Sequence, residues 1–316
     1  MRVLITGGFG FIGGRLAHYL CEANVEVILG TRKNTNVSPE WLPQSQVIQT
    51  KWEDLSSLKT ACNGVDVVIH TAGMNAGDCK KHPVEALRVN GLSTANLLYC
   101  AISSGVKKLI YVSTGHVYNN PLQGEIAECD NLNNIHPYAS SHRAGEDIVR
   151  YAHQKQFIEG VVIRLSNSYG TPMHKRVNCW MLLVNDLCRQ AVKTGRMSLL
   201  SSGVQHRDFF PISSLCKVLQ ALIVKDRQTL GDGLFNLGCG KSMSVWDMAC
   251  LTQSRCEKLL GKKVPLSKSS SSGDSTGLNY VVQKLKNTGI DYDIDHINEI
   301  DSLLNFCVNN FSELEN

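Results

Sequence analysis

The sequence contains no C-x-x-C pair and no metal-ligand spacing, although its twelve cysteines run from Cys21 to Cys307. That excludes a zinc module, and at 316 residues the chain is far longer than a disulfide-stapled secreted scaffold. Thiols such as Cys100 and Cys188 lie in apolar runs and read as small buried hydrophobes, kept reduced. No apolar run approaches the roughly 18 residues of a spanning helix. The apolar start MRVLITGGFGFIGGRL is broken by glycines and has no small-residue cleavage site, so it is not a signal peptide. There is no basic stripe or tail either. The formal net charge is +4, and the densest basic stretches are the doublets Lys107-Lys108 and Lys262-Lys263, expected on solvated faces. Metal, nucleic acid and membrane are thereby set aside, and a soluble cytoplasmic protein is expected.

What is present is a core. Hydrophobic residues make up 43% and charged residues 19%, which suits a folded chain of one α/β domain plus a smaller lobe. Short β-branched runs (Arg2–Thr6, Glu26–Thr31, Asp66–His70, Lys108–Ser113, Gly160–Leu165) alternate with helical patterns at Pro83–Ser103 and Tyr138–Gln154. Such alternation implies a parallel sheet covered on both faces. The runs VVIH and VVIRL are continuous, as in strands buried on both sides. After Thr171 the rhythm changes. Asn178 is placed to cap a helix with Trp180, Leu183, Val184 and Leu187 on one face. LFNLG (Leu234–Gly238) and a helix near Val245–Leu260 follow, then a polar loop over Ser267–Gly277 and helical pieces to Glu315. The expected division is 1–170 for a dinucleotide-binding domain and 171–316 for a substrate lobe, some of which returns to the core.

The first strand runs straight into Gly7, Gly10 and Gly13, spaced G-x-x-G-x-x-G, and then into a helix. Glycines there let the backbone approach a pyrophosphate at a helix N-terminus. Thr6, Gly7, Phe9, Gly10, Phe11, Ile12 and Gly13 are the expected lining. The second strand ends in Thr31-Arg32-Lys33 with no carboxylate to hold a ribose diol. Two cations and a hydroxyl suit a 2′-phosphate, so NADP is expected over NAD.

Together these motifs resemble the extended short-chain dehydrogenase/reductase family, the NAD(P)-dependent sugar epimerase/dehydratase group, over nearly the whole chain. TGGFGFIG is similar to its glycine motif, and Asp54-Leu55 to its adenine contact. Thr71-Ala72-Gly73 resembles the motif beside the cofactor, and Asn90 its structural asparagine. Ser113-Thr114 is similar to the active-site segment, and Arg164–Pro172, with Ser166 and a substrate-facing Asn167, to the R-x-x-N-x-Y-G-x-P stretch. Arg207 matches the arginine that grips a nucleotide diphosphate. The resemblance implies a Rossmann-type doubly wound parallel sheet, a smaller C-terminal lobe, a nucleotide-sugar substrate and a homodimer. Asn178 and His116 are further substrate candidates.

Hydride transfer at a sugar carbinol needs a group that takes or returns the hydroxyl proton. Tyr138 is the candidate, with Thr114 to hydrogen-bond the reacting oxygen. The family's Tyr-x-x-x-Lys is broken here: the fourth position is His142. His142 has two possible jobs, a ribose hydrogen bond as neutral imidazole or a positive charge beside Tyr138. A literal Y-x-x-x-K at Tyr151–Lys155 lies too far from Thr114 to be the catalytic pair. The Asp-Glu pair of the family's dehydratases is replaced by Gly115 and His116, which argues against elimination. The expected activity is NADPH reduction of a nucleotide-linked 4-ketosugar. The alternatives are a 4-epimerase with retained cofactor and a non-catalytic binding subunit.

Overall fold

The computed structural model describes residues 1–270 and 276–312. Its centre is a parallel sheet that begins with β1 (Arg2–Thr6), β2 (Glu26–Thr31), β3 (Gln46–Gln49), β4 (Val67–His70) and β5 (Lys108–Thr114). The spatial order is β3-β2-β1-β4-β5, completed by Glu159–Leu165 and then Leu234–Leu237, seven strands in all. Every pairing is parallel. The crossovers are α1 (Phe11–Glu22), α2 (Leu55–Cys62), α3 (Ala76–Lys81), α4 (Pro83–Ala86), α5 (Ser93–Ser103) and α6 (Pro137–Gln154).

Both faces of the sheet are covered, as the continuous apolar strands require. Leu16 and Leu20 of α1 pack with Leu215 and Leu219 of the Ile212–Val224 helix on one face. Leu58, Leu97 and Val149 of α2, α5 and α6 pack on the other. The strand order reverses between β1 and β4, and ligands of doubly wound sheets lie outside the carboxyl ends of the strands at such a switch.

Four sequence expectations are corrected. The long helix over Pro83–Ser103 is broken by a π-helical turn, Leu87–Leu92, between α4 and α5. Asn178 caps nothing: it is exposed in a series of tight turns, and the next helix starts at Leu183 after Leu182. Local bonds from Val177 N to His174 O and from Leu182 N to Cys179 O hold those turns. LFNLG belongs to the main sheet, where Leu234–Leu237 pairs with Val162–Leu165. Lys108 is buried rather than solvated, because its ammonium donates to the carbonyls of Leu222 and Ile223 at 3.0 Å and of Lys225. Those carbonyls end a helix and have no partner within it.

Part of the C-terminal region forms a core of its own. Leu187, Met248 and Leu303 meet there from the helices Leu183–Thr194, Val245–Leu260 and His296–Phe311. Part of the polar stretch Ser267–Gly277, and the expected helical end at Glu315, lie outside the described residues. All twelve cysteines are free. Among the described residues, no helix is long and apolar enough to cross a membrane.

Candidate active site

The glycine loop between β1 and α1 is shaped for a close approach. Gly7 has φ +70°, and a Cβ on Gly13 would run into the Gly7 carbonyl while standing 2.8 Å from Thr71 Oγ1. α1 opens with no side-chain cap and no acidic residue in its first turn. Its first N–H groups are therefore left for an anion. Thr71 Oγ1 donates to Thr6 O at 2.8 Å, which fixes the loop after β4 beside the cradle, with the Ala72 backbone against Gly7. Phe9 meets the Trp41 ring edge-on at 6.1 Å, and Phe11 and Ile12 pack on the core. This cradle fits a dinucleotide pyrophosphate.

At the end of β2, Thr31 Oγ1 accepts from Lys33 N at 3.2 Å, and Arg32 and Lys33 are exposed. Asp54 caps α2, accepting from Ser56 N at 3.0 Å and Ser57 N at 3.1 Å, while Leu55 is exposed. Two expected cofactor contacts are engaged elsewhere. Ser113 Oγ donates to Glu146 Oε1 at 2.5 Å, and Ser166 Oγ to Asp208 Oδ1 at 2.6 Å. Asn90 is likewise committed: Oδ1 accepts from Met74 N at 2.9 Å and Nδ2 donates to Ser141 Oγ at 3.0 Å. Its amide ties the loop that carries Gly73 to α6.

Thr114 ends β5, and Tyr138 stands in the first turn of α6 after His136, whose Nδ1 accepts from Tyr138 N at 3.1 Å. Thr114 Oγ1 accepts from His116 N at 3.1 Å, so its own proton remains free to donate. Burial pushes the Tyr138 phenol up, and the neighbouring Thr114 side chain opposes that by hydrogen bonding. His142 lies one turn along, its ring 4.6 Å from the Tyr138 ring. Burial holds this imidazole at about 4, so it is neutral near pH 7. The charge role open to it in the sequence is not what the surroundings favour.

On the substrate side, Arg207 is partly buried and pairs through its backbone with Met243, and its guanidinium has no hydrogen-bond or ion-pair partner among the described residues. Burial lowers its pKa, and lowers that of His116, with Arg207 adding to the effect on His116. A desolvated, unpaired guanidinium next to an imidazole is a place for an anion. Asn167 Nδ2 donates to Asp208 O at 3.3 Å. Asn178 makes no polar contact with this group among the described residues. Tyr151 is exposed, its ring 6.4 Å from that of Phe157, with the Lys155 ammonium 5.9 Å above it.

Sequence reasoning missed Tyr111. It shares a face of β5 with Ser113, and His142 shares a face of α6 with Glu146, so two polar pairs lock strand to helix: Tyr111 Oη to His142 Nδ1 at 2.8 Å and Ser113 to Glu146. Two polar residues two apart on an otherwise apolar strand were the available signal. Gly145 makes the packing possible, since a Cβ there would stand 2.8 Å from Asn90 O and 2.9 Å from Tyr111 Oη.

A switch-point glycine cradle beside a Tyr–Thr pair defines a dinucleotide-dependent enzyme of the extended short-chain dehydrogenase/reductase type. Residues 3–238 match the NAD dependent epimerase/dehydratase family, and the chain belongs to that family. A putative UDP-glucose 4-epimerase of Methanocaldococcus jannaschii is 29% identical over 250 residues, covering 77% of this chain and 78% of that protein. The UDP-glucose 4-epimerase of Mus musculus is 27% identical over 294 residues, covering 84% of each. The UDP-glucuronic acid 4-epimerase of Bacillus cereus, solved with UDP-glucuronic acid and NAD, superposes with a TM-score of 0.77 at 21% identity. That match covers 97% of this chain and 99% of that one. The family is NAD-dependent, which does not support the NADP preference expected from the end of β2.

Proposed function

We propose that the chain is a nucleotide-sugar 4-epimerase that keeps its NAD through turnover. The observation that carries this reading is the Tyr138–Thr114 pair beside the glycine cradle, with Gly115 and His116 where elimination would need acids. The similar relatives are named as 4-epimerases and, in one case, as a 4,6-dehydratase, and none of these as a 4-ketosugar reductase, so reduction of a 4-ketosugar yields to epimerisation.

Tyr138 takes the proton of the sugar C4 hydroxyl as the hydride leaves the same carbon, and returns a proton after the sugar has turned its other face. Thr114 donates to the reacting oxygen throughout. Arg207, with His116 near it, holds the diphosphate while the sugar turns. When bound, oxidised nicotinamide would accept the hydride and give it back to the same carbon from the other side, and would supply the positive charge that neutral His142 does not. The substrate lies between residues 1–170 and the lobe within 171–316. Two copies pair through α5 and α6, whose neighbourhood exposes Val84, Leu87 and Tyr99.

The test is to denature the purified protein, identify the released nucleotide, and incubate native protein with UDP-glucose without added cofactor. NAD in the supernatant and UDP-galactose in the mixture are expected. Reduction of nucleotide 4-ketosugars by NADPH without epimerisation would restore the reductase reading.

A further inference from the structure

A row of buried polar rings crosses three strands and ends at α6. Thr6, His70 and Tyr111 are register neighbours on β1, β4 and β5. The His70 and Tyr111 rings stack at 5.4 Å and those of Tyr111 and His142 at 5.8 Å. Proton counting along the row assigns the donors. Thr94 Oγ1 gives its one proton to Asn90 O at 2.7 Å, so it must accept from His70 Nε2, 3.0 Å away. His70 Nδ1 is then the acceptor for Thr6 Oγ1 at 2.6 Å. The Tyr111 hydroxyl lies beside the Thr94 side chain, whose own proton goes to Asn90 O, and is 3.5 Å from Asn90 O and 2.8 Å from His142 Nδ1. Asn90 O is already well served, and a bond at 3.5 Å is marginal.

We propose that Tyr111 is a positioning residue: its hydroxyl donates to His142 Nδ1 and so fixes the neutral Nε2–H tautomer, turning a single N–H donor towards the cofactor side of the site. The opposite ring edge fits this role. His142 is only 6% exposed, yet Nε2 has no hydrogen-bond partner among the described residues. It lies 3.8 Å from where a Cβ on Gly73 would be, in the loop that borders the cradle. An accessible ring nitrogen on an otherwise buried imidazole, beside the Gly73 loop and without a protein partner, is a donor open to a ligand acceptor. The chain thus replaces the ammonium of Tyr-x-x-x-Lys with a neutral donor whose direction is set 31 residues upstream. The groups facing the imidazole are Tyr138, with Cys79 beyond it, Tyr111 and His70 across β5 and β4, and the Glu146–Arg164 pair one turn along α6.

The inference rests on the proposed nucleotide site but not on epimerisation, so it is tested without turnover. Protein carrying ¹⁵N-labelled histidine is examined by NMR between pH 6 and 9, with His142→Gln to identify the resonance. The Nε2–H tautomer, unchanged over that range, is expected. Tyr111→Phe should mix the tautomers and weaken NAD binding about five- to tenfold in equilibrium titration. In a His142→Lys background the same substitution should change affinity by less than about twofold, because the lysine needs no tautomer. A wild-type Nδ1–H tautomer overturns the proposal, as does an equal loss in both backgrounds, which marks Tyr111 as merely structural. If Tyr111→Phe does not fold, the wild-type spectrum still decides. Passing these tests while failing to epimerise would sink the functional reading and leave this one.

Discussion

Glu146 and Arg164 form an ion pair sealed from solvent, with Nη2 2.7 Å from Oε2 and side chains 0% and 2% exposed. Ser113 closes the carboxylate at 2.5 Å, and Tyr118 Oη accepts from the guanidinium at 2.8 Å. The pair joins α6, which carries Tyr138 and His142, to the strand Glu159–Leu165. Removing one partner leaves an uncompensated buried charge. Glu146→Ala should therefore cost about 3–5 kcal/mol in denaturant unfolding. A loss under about 1 kcal/mol would mean that water reaches the guanidinium.

Tyr138→Phe removes only the hydroxyl. Turnover should fall by about 10²-fold or more, with the unfolding midpoint and NAD content unchanged. Tyr151→Phe is the matched control, exposed and remote, and should be neutral. Equal activity in both variants would place the proton carrier elsewhere.

Stability should fall in acid. His142 and His70 are held by burial at about 4 and about 3, below the ordinary histidine value of about 6.5. The unfolded chain then binds protons that the folded chain refuses, and stability declines as pH drops from about 6.5 towards 4. Between pH 7 and pH 5 the His142 share is on the order of 2 kcal/mol. Urea unfolding of wild type and His142→Gln at both pH values checks it: the variant should lose less. Equal losses would show that the folded imidazole protonates normally.

The exposed cations at the end of β2 bear on cofactor choice. Arg32→Asp should weaken NADPH binding by roughly tenfold and leave NADH nearly unchanged. No change in either titration would assign Arg32 to the solvated surface.

Much of the scaffold was legible in the chain. β1, β2, β4 and β5 emerged within a residue of their ends, because strands buried on both faces leave uninterrupted apolar runs. QVIQ, the edge strand β3, is too short and too polar to leave that signal. The π-helical turn at Asn90 was invisible because it is a shift in backbone bonding, not in side-chain pattern. Tyr138, Thr114 and Arg207 became candidates through motifs, whereas Tyr111 did not. Its partner lies 31 residues away, and only the pairing of a strand face with a helix face brings them together.

The last strand of the sheet, Leu234–Leu237, comes from beyond the residues that begin the substrate lobe. Asn236 on it accepts from Tyr118 Oη at 2.7 Å and donates to Val281 O at 3.2 Å, while Tyr280 Oη donates to Arg164 O at 2.8 Å, bolting together segments more than 150 residues apart. The lobe is therefore built from two stretches of chain, one before this strand (Leu183–Thr194) and one after it (Val245–Leu260 and His296–Phe311), and is not a simple tail. Cutting the chain after residue 170 would bare the VVIRL edge and hand it to any passing strand, so the halves should be inseparable as stable proteins. Transplanting a lobe from a relative would require junctions on both sides of this strand, and a single splice would not suffice.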